Sequence, residues 1–122
     1  MAAPSDIWPI EVRLRKDRAH LAIRFDSGED YELPAEYLRV RSPSAEVQGH
    51  SPAERQTVAG KRHVKISEVR PVGNYALRLV FDDGHSTGIY SWAYLAELGR
   101  GRTANWQEYL DELAAKGLSR ES

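Results

Sequence analysis

The sequence predicts a small single α+β domain built from two repeated units, each a β-hairpin plus a short helix, with a C-terminal amphipathic helix. Apolar and polar residues alternate up to an Asp-Asp-Gly sequence at residues 82–84, the pattern of a half-buried strand that enters a tight type I′ hairpin turn. Residues 21–28 repeat the pattern of residues 77–84 at a constant offset of 56. An isolated hairpin cannot bury its apolar face in water, so we expect the two units to share one core.

The first unit occupies the first third of the chain. Residues 10–14 alternate as a first strand, and a short turn leads to a second strand at residues 19–25. Gly28 lies in the following turn, and residues 31–33 return as a third strand. Pro34 suits the first position of a short helix that ends at Val40, because a backbone N–H at that position would have no hydrogen-bond acceptor within the helix.

The second unit follows a long irregular stretch at residues 42–60, and loops of this length tend to be functional or mobile. Residues 64–70 then predict a strand, residues 86–90 return after the Gly turn, and Ser91 caps the next helix. The residues predicted to meet in the shared core are Leu21, Ile23, Phe25, Leu77, Leu79 and Phe81.

The end of the chain predicts a spacer followed by an amphipathic helix. The sequence GRGR at residues 99–102 suggests a hinge, and Asn105 can cap a helix over residues 105–116. Trp106 begins its apolar stripe. The helix either docks loosely on its own domain or meets a partner, and both remain open. The predicted division is a flexible N-terminus at 1–9, one domain at 10–99, and a spacer with the C-terminal helix at 100–122.

Composition bounds the class of protein. The 122 residues are 41% hydrophobic and 29% charged, with a net charge of −1, no cysteine, and a pI near 6.4. No secretory signal or membrane-length apolar run is evident, so we expect a cytoplasmic protein without disulfides or a membrane partner. The charge balance argues against nucleic acid as a partner. The basic residues at 61–65 are either a solvated strand edge or a local phosphate contact.

Two sequences in the second unit carry a family resemblance: GNYALR at residues 73–78 and FDDGHSTGIYSW at residues 81–92. Over about residues 10–98 the chain resembles the gamma-butyrobetaine hydroxylase-like N-terminal domain family, and it is identified as a stand-alone bacterial member of uncharacterised function. The same domain precedes the catalytic domain of those hydroxylases. Related domains are fused to P-loop ATPases of iron–sulfur cluster assembly.

In the hydroxylases that the chain resembles, this domain holds a zinc ion through three cysteines spaced C-x-C-x-x-C and one distant histidine. The resemblance therefore implies four ligand positions in this chain. The matching residues here are Ser42, Ser44, Val47 and His85, so only the histidine is retained. A structural zinc ion needs four ligands, usually thiolates and imidazoles. We therefore predict that the zinc site is lost and that the protein holds no metal or other cofactor.

No pattern in the chain predicts a catalytic site. None of the four histidines is followed two residues later by a carboxylate, the usual start of a non-haem iron site. A serine-nucleophile elbow is absent, and the Gly-Lys pair at residues 60–61 lacks the rest of a P-loop. We expect no catalytic residue, although the pattern alone leaves enzymatic activity open.

The leading interpretation is a non-enzymatic protein-interaction or adaptor domain that binds through the second hairpin or the tail helix. The family context makes a redox or iron–sulfur enzyme system the associated partner class. The candidate binding surface is Tyr75, His85, Tyr90 and Trp106, with Tyr75 and Tyr90 as its most exposed members, because aromatic residues concentrate at binding hot spots. The alternative is a small-molecule-binding or enzymatic domain with a pocket near His85, Tyr90 and the loop at residues 42–60.

Overall fold

The computed structural model describes residues 7–121 and confirms an α+β domain made of two three-stranded antiparallel sheets and four α-helices within that range. The strands are Pro9–Leu14 (β1), His20–Phe25 (β2), Asp30–Pro34 (β3), Ile66–Val72 (β4), Ala76–Phe81 (β5) and Ile89–Ser91 (β6). The helices are Ala35–Val40 (α1), Ala45–Gln48 (α2), Trp92–Arg100 (α3) and Arg102–Ala115 (α4), with a 3₁₀ turn at Pro52–Glu54. Among the helices of residues 7–121, none has both the length and the hydrophobicity to cross a membrane. The predicted flexible N-terminus lies mostly outside the described residues, and β1 begins at its last residue, Pro9.

The predicted repeat is confirmed, and each unit contains one more strand than the hairpin. The sheets have the orders β1-β2-β3 and β4-β5-β6, and a helix follows the last strand of each. The first two strands of each sheet also share an irregularity in their pairing. The register shifts between Pro9 and Glu11 in the β1–β2 pair and between Ile66 and Glu68 in the β4–β5 pair. Each unit is therefore a three-stranded meander followed by a helix.

The second hairpin turn differs from the predicted type I′ geometry, and the first hairpin turn has a matching glycine conformation. Gly28 and Gly84 have φ values of 93° and 92°, and the Gly84 N–H donates to the Phe81 carbonyl at 3.1 Å. Among the described residues Arg18 is the only non-glycine with a positive φ, so Asp83 lacks the conformation that a type I′ turn requires. The geometry is that of a type I turn followed by one left-handed residue, which needs glycine at a single position.

Both hairpins bury their apolar faces in one hydrophobic core, as predicted. The core residues from β2 and β5 are Leu21, Ile23, Phe25, Leu77, Leu79 and Phe81. Helices α1 and α3 pack on them through Leu38, Leu95 and Leu98. Since the two units contribute to the same cluster, neither has a complete core of its own.

The predicted spacer at residues 99–102 is wrong. Helix α3 continues through Gly99 to Arg100, and a single residue, Gly101, separates it from α4. Gly99 packs so closely on the Tyr31 ring that an added Cβ would lie 2.5 Å from ring atoms. Here glycine permits close helix–strand packing and does not form a hinge.

Helix α4 is packed firmly on its own domain. It begins at Arg102 with Gly101 at the N-cap and no side-chain cap, so the predicted cap at Asn105 is wrong, and that side chain donates to Tyr37 Oη at 3.0 Å. Tyr109 and Leu113 are buried in a second cluster with Val40 of α1. The helix is thus part of the domain's packed structure.

Candidate functional site

The four candidate binding residues differ widely in exposure. Tyr75, in the turn between β4 and β5, is 57% exposed, and Trp106 on α4 is half-buried. His85 is buried, and Tyr90 has no exposed surface; its hydroxyl donates to the Leu38 carbonyl at 2.6 Å. Burial raises the pKa of Tyr90. The expectation that Tyr90 lies at the surface is therefore wrong, and His85 also offers little surface to a ligand.

Hydrogen bonds join residues of the 42–60 loop to the residues after the second hairpin turn; we call this group the His85 cluster. Ser42 Oγ lies 2.8 Å from His85 Nε2, and Glu46 Oε1 lies 3.2 Å from His85 Nδ1. Ser44 Oγ lies 2.8 Å from Thr87 Oγ1. The structure thus brings together residues that lie about forty positions apart in the chain.

The protonation of the His85 cluster follows from its acceptors. Burial lowers the pKa of His85, and Arg39 lowers it further, while Glu46 and Asp83 act in the opposite direction. The Glu46 carboxylate can only accept, so the proton of a neutral ring lies on Nδ1 and Nε2 accepts from the Ser42 hydroxyl. This is the order of groups in a serine hydrolase triad. Ser42 is 0% exposed, however, so the surrounding residues block a substrate from its hydroxyl.

An ion-pair group supports the turn beside this cluster. Asp83 accepts from Arg39 Nε and from Lys61 Nζ, both at 2.7 Å. Burial alone raises the pKa of Asp83, but Lys61, the His85 amide and Arg39 outweigh it and lower the pKa to about 2. Arg39 Nη1 is the one buried side-chain nitrogen or oxygen in the described residues that lacks a partner. Because Lys61 is paired with Asp83, this member of the basic residues at 61–65 has a structural role.

The residues at the family's zinc positions do not fit a zinc ion. Ser42, Ser44 and Val47 are buried, and Ser42 is hydrogen-bonded to His85. Serine hydroxyls are neutral and Val47 has no donor atom, whereas structural zinc sites use thiolates and imidazoles. Within residues 7–121 no group of three or more histidine, cysteine or acidic side chains could hold a metal. We assign no step of the function to a metal.

An open cleft lies at the other end of α1, between the start of that helix and α4. Its volume is about 410 Å³. We call it the Trp106 cleft, and its lining includes Pro34, Glu36, Arg102, Trp106, Gln107 and Arg120. Sequence reasoning singled out Trp106, but it missed the charged residues around it, because they are far apart in the chain.

Arg120 forms one side of this cleft and binds Glu36. Its Nε and Nη2 donate to the two carboxylate oxygens at 2.8 and 2.7 Å, and Glu36 is 7% exposed. The guanidinium carbon lies 5.2 Å from the centre of the Trp106 ring. The hydrogen bonds to Glu36 raise the pKa of Arg120. The arrangement combines a bidentate ion pair with a cation–π contact.

A family model matches most of the chain. The model described as "Gamma-butyrobetaine hydroxylase-like, N-terminal" matches residues 12–96. A search of curated proteins found no match.

Solved structures resemble most of the chain. Two NMR solution structures have TM-scores of 0.81 and 0.82 and sequence identities of 46% and 44%; they cover 93% and 98% of this chain and 90% of each of their own. A crystal structure of a protein with unknown function of the DUF971 family, from Acidithiobacillus ferrooxidans ATCC 23270, has a TM-score of 0.65 and 38% identity. It covers 80% of this chain and 98% of its own. A coverage of 98% of this chain extends the similarity beyond residue 96 and into α4.

Proposed function

Since the chain belongs to the gamma-butyrobetaine hydroxylase-like N-terminal family, we propose that it is a non-enzymatic protein-interaction domain that binds its partner at the Trp106 cleft. The resemblance joins such domains to hydroxylases and to ATPases of iron–sulfur cluster assembly. A redox or iron–sulfur enzyme is therefore the partner class in this proposal.

The observation that carries the proposal is the composition of the Trp106 cleft. Trp106 is half-buried, and its ring packs edge-on against the Tyr37 ring with the two ring centroids 6.4 Å apart. Its orientation is therefore preorganised. Arg102 is exposed on the same cleft, and its guanidinium donates to the Glu32 carbonyl at 3.0 Å. Tryptophan and arginine are the residues most enriched among binding hot spots, and preorganised side chains lose less entropy on binding.

The second hairpin supports the proposal less strongly. Tyr75 and Ile89 are exposed there. Isolated exposed apolar side chains are common on monomeric proteins and need no partner to explain them. The cleft is concave and presents an aromatic ring beside two arginines and one glutamate, so it is the preferred surface.

The alternative function remains a small-molecule-binding or enzymatic domain near His85, Tyr90 and residues 42–60. The Ser42–His85–Glu46 chain of hydrogen bonds is the one observation in its favour. The burial of Ser42, His85 and Tyr90 weighs against it, because a substrate would need the loop to open. Incubation with an electrophilic probe that labels serine nucleophiles tests this alternative. Covalent labelling of Ser42 would favour it over the adaptor function.

A cytoplasmic location is also part of the proposal. The chain contains no cysteine and so has no need of an oxidising compartment. Fractionation of cells that express the tagged full chain tests the location.

Affinity capture with charge-reversal variants tests the binding surface. The full chain is used as bait in native lysate, beside Arg102→Glu in the cleft, Arg78→Glu on the second hairpin, and Arg24→Glu as a matched control on the first sheet. All three arginines are exposed, so folding should be preserved. We expect one or more proteins to be captured by the wild type and the control, and lost with Arg102→Glu. Loss with Arg78→Glu alone would move the binding surface to the hairpin and contradict the proposal.

A further inference from the structure

We propose that the Trp106 cleft recognises an arginine side chain of its partner, and that Arg120 occupies this arginine site while the partner is absent. The inference rests on the proposed function and adds to it the chemistry of the partner. The occupant is identified by the group that the cleft already holds.

Glu36 sets the chemistry of the site. It is a buried carboxylate at the start of α1, and both of its oxygens accept from one guanidinium. A buried charge without a partner is costly, so Glu36 demands a cation. Two parallel hydrogen bonds match the planar fork of arginine, which the single ammonium of lysine cannot reproduce.

Trp106 adds a second requirement for a flat cation. The Arg120 guanidinium lies over its ring at 5.2 Å. The ring is held between Tyr37 and Tyr109, with centroid distances of 6.4 and 5.2 Å. Tryptophan is the best cation–π acceptor, and arginine is its most frequent partner in proteins. Carboxylate and ring together form a receptor carried by two regular helices, α1 and α4.

Arg120 lies on a different kind of element from its receptor. It belongs to the irregular segment that follows α4, and residues 116–119 of that segment are exposed. Its backbone accepts from the Arg62 N–H at 3.1 Å, and the neighbouring Ser119 carbonyl accepts from the Gly60 N–H at 2.9 Å. Neither of these two hydrogen bonds involves α1 or α4. A partner arginine that displaces the Arg120 side chain therefore leaves both helices intact, and the carboxylate stays paired throughout.

This competition has a measurable consequence. When a ligand must compete with an internal group, its apparent affinity equals its intrinsic affinity multiplied by the fraction of molecules whose site is free. Removing the Arg120 charge should increase affinity for an arginine probe by at least about tenfold. Removing the Glu36 charge as well should abolish the effect.

The test uses the full chain, N-acetyl-arginine amide as the probe, and its neutral isostere N-acetyl-citrulline amide as the control. Binding is followed by the NMR shift of the Trp106 indole N–H in the wild type, Arg120→Gln and the Glu36→Gln/Arg120→Gln double variant. We expect saturable shifts with the arginine probe, tighter in Arg120→Gln than in the wild type and absent from the double variant. Citrulline amide should give no shift.

Equal responses to arginine and citrulline would overturn the inference, as would equal affinities in wild type and Arg120→Gln, or no shift in Arg120→Gln. If Arg120→Gln does not fold, Arg120→Lys replaces it, because it keeps a cation but loses the fork; an affinity equal to that of the wild type would then overturn the inference. Arginine binding without partner capture would instead refute the proposed function alone. Capture that depends on Arg102, without arginine binding, would refute this inference alone.

Discussion

Truncating Phe81 to alanine tests whether the two units form one cooperative core. Phe81 is 1% exposed and belongs to the cluster that contains Leu21, Ile23 and Phe25 of the other unit. Removing a fully buried phenylalanine side chain typically costs about 3–5 kcal/mol in the free energy of unfolding. For a chain of 122 residues that loss lowers the melting temperature by about 12–20 °C. The matched control Tyr75→Ala, at an exposed position, should change stability by less than about 0.5 kcal/mol.

Urea unfolding measures the loss of stability, and amide hydrogen exchange shows where it falls. Because both units share the cluster, Phe81→Ala should lower exchange protection in β2 as well as in β5. Loss of protection confined to residues 66–100 would refute the reasoning, because it would mean that the first unit is stable on its own.

Three further predictions concern the metal positions, the His85 cluster and the tail helix. Excess chelator should leave the melting temperature unchanged, because the residues at the zinc positions do not fit the ion; stoichiometric zinc in the purified protein would contradict this. The free energy of unfolding should fall as the pH drops below about 6.5, the ordinary His value. The pKa of His85 is lowered in the fold, so the unfolded chain takes up the proton first and the loss levels off below the folded pKa. His85→Gln should show a shallower pH dependence in the same urea titrations, and parallel curves would rule this cause out. Leu113→Ala should cost about 2–5 kcal/mol, because Leu113 is 4% exposed; a change as small as that of exposed Leu118→Ala would mean that α4 is loosely docked.

The repeated architecture could be predicted because it rests on local signals. Alternation of apolar residues fixes which face of β2 and β5 is buried, and the glycines at residues 28 and 84 fix the turns. The type I′ assignment failed at Asp83, because the Asp-Gly sequence is compatible with a longer loop in which glycine alone takes a positive φ. The sequence signal is shared by both turn types.

The errors at the end of the chain have another cause. Two glycines in four residues suggested a hinge, but Gly99 is required by the close approach of Tyr31, which is 68 residues away. Tyr90 was expected at the surface, but in the fold it pairs with buried Leu77 and its hydroxyl donates to the carbonyl of Leu38, which is 52 residues away. Tertiary contacts overrode local propensity at each of these positions.

The candidate site was the least predictable part. Trp106 was found from its helical stripe, whereas the ion pair between Glu36 and Arg120 joins residues 84 positions apart and leaves no local pattern. Ser42 and His85 were connected through the family's zinc positions and through the alternative pocket near the loop at residues 42–60, but neither predicted the hydrogen bond between them. A buried carboxylate or histidine has no sequence signature of its own, since burial depends on packing from the whole chain.

Photocrosslinking from the rim of the Trp106 cleft tests the central claim most directly. A photoreactive phenylalanine analogue replaces exposed Gln107 in the cleft, or exposed Arg24 on the first sheet as the matched control, in the full chain expressed in cells. We predict a discrete protein adduct from position 107 that excess wild-type protein suppresses and Arg102→Glu protein does not, with no such adduct from position 24. No adduct from position 107, or the same adducts from both positions, would contradict a partner-binding role for the cleft.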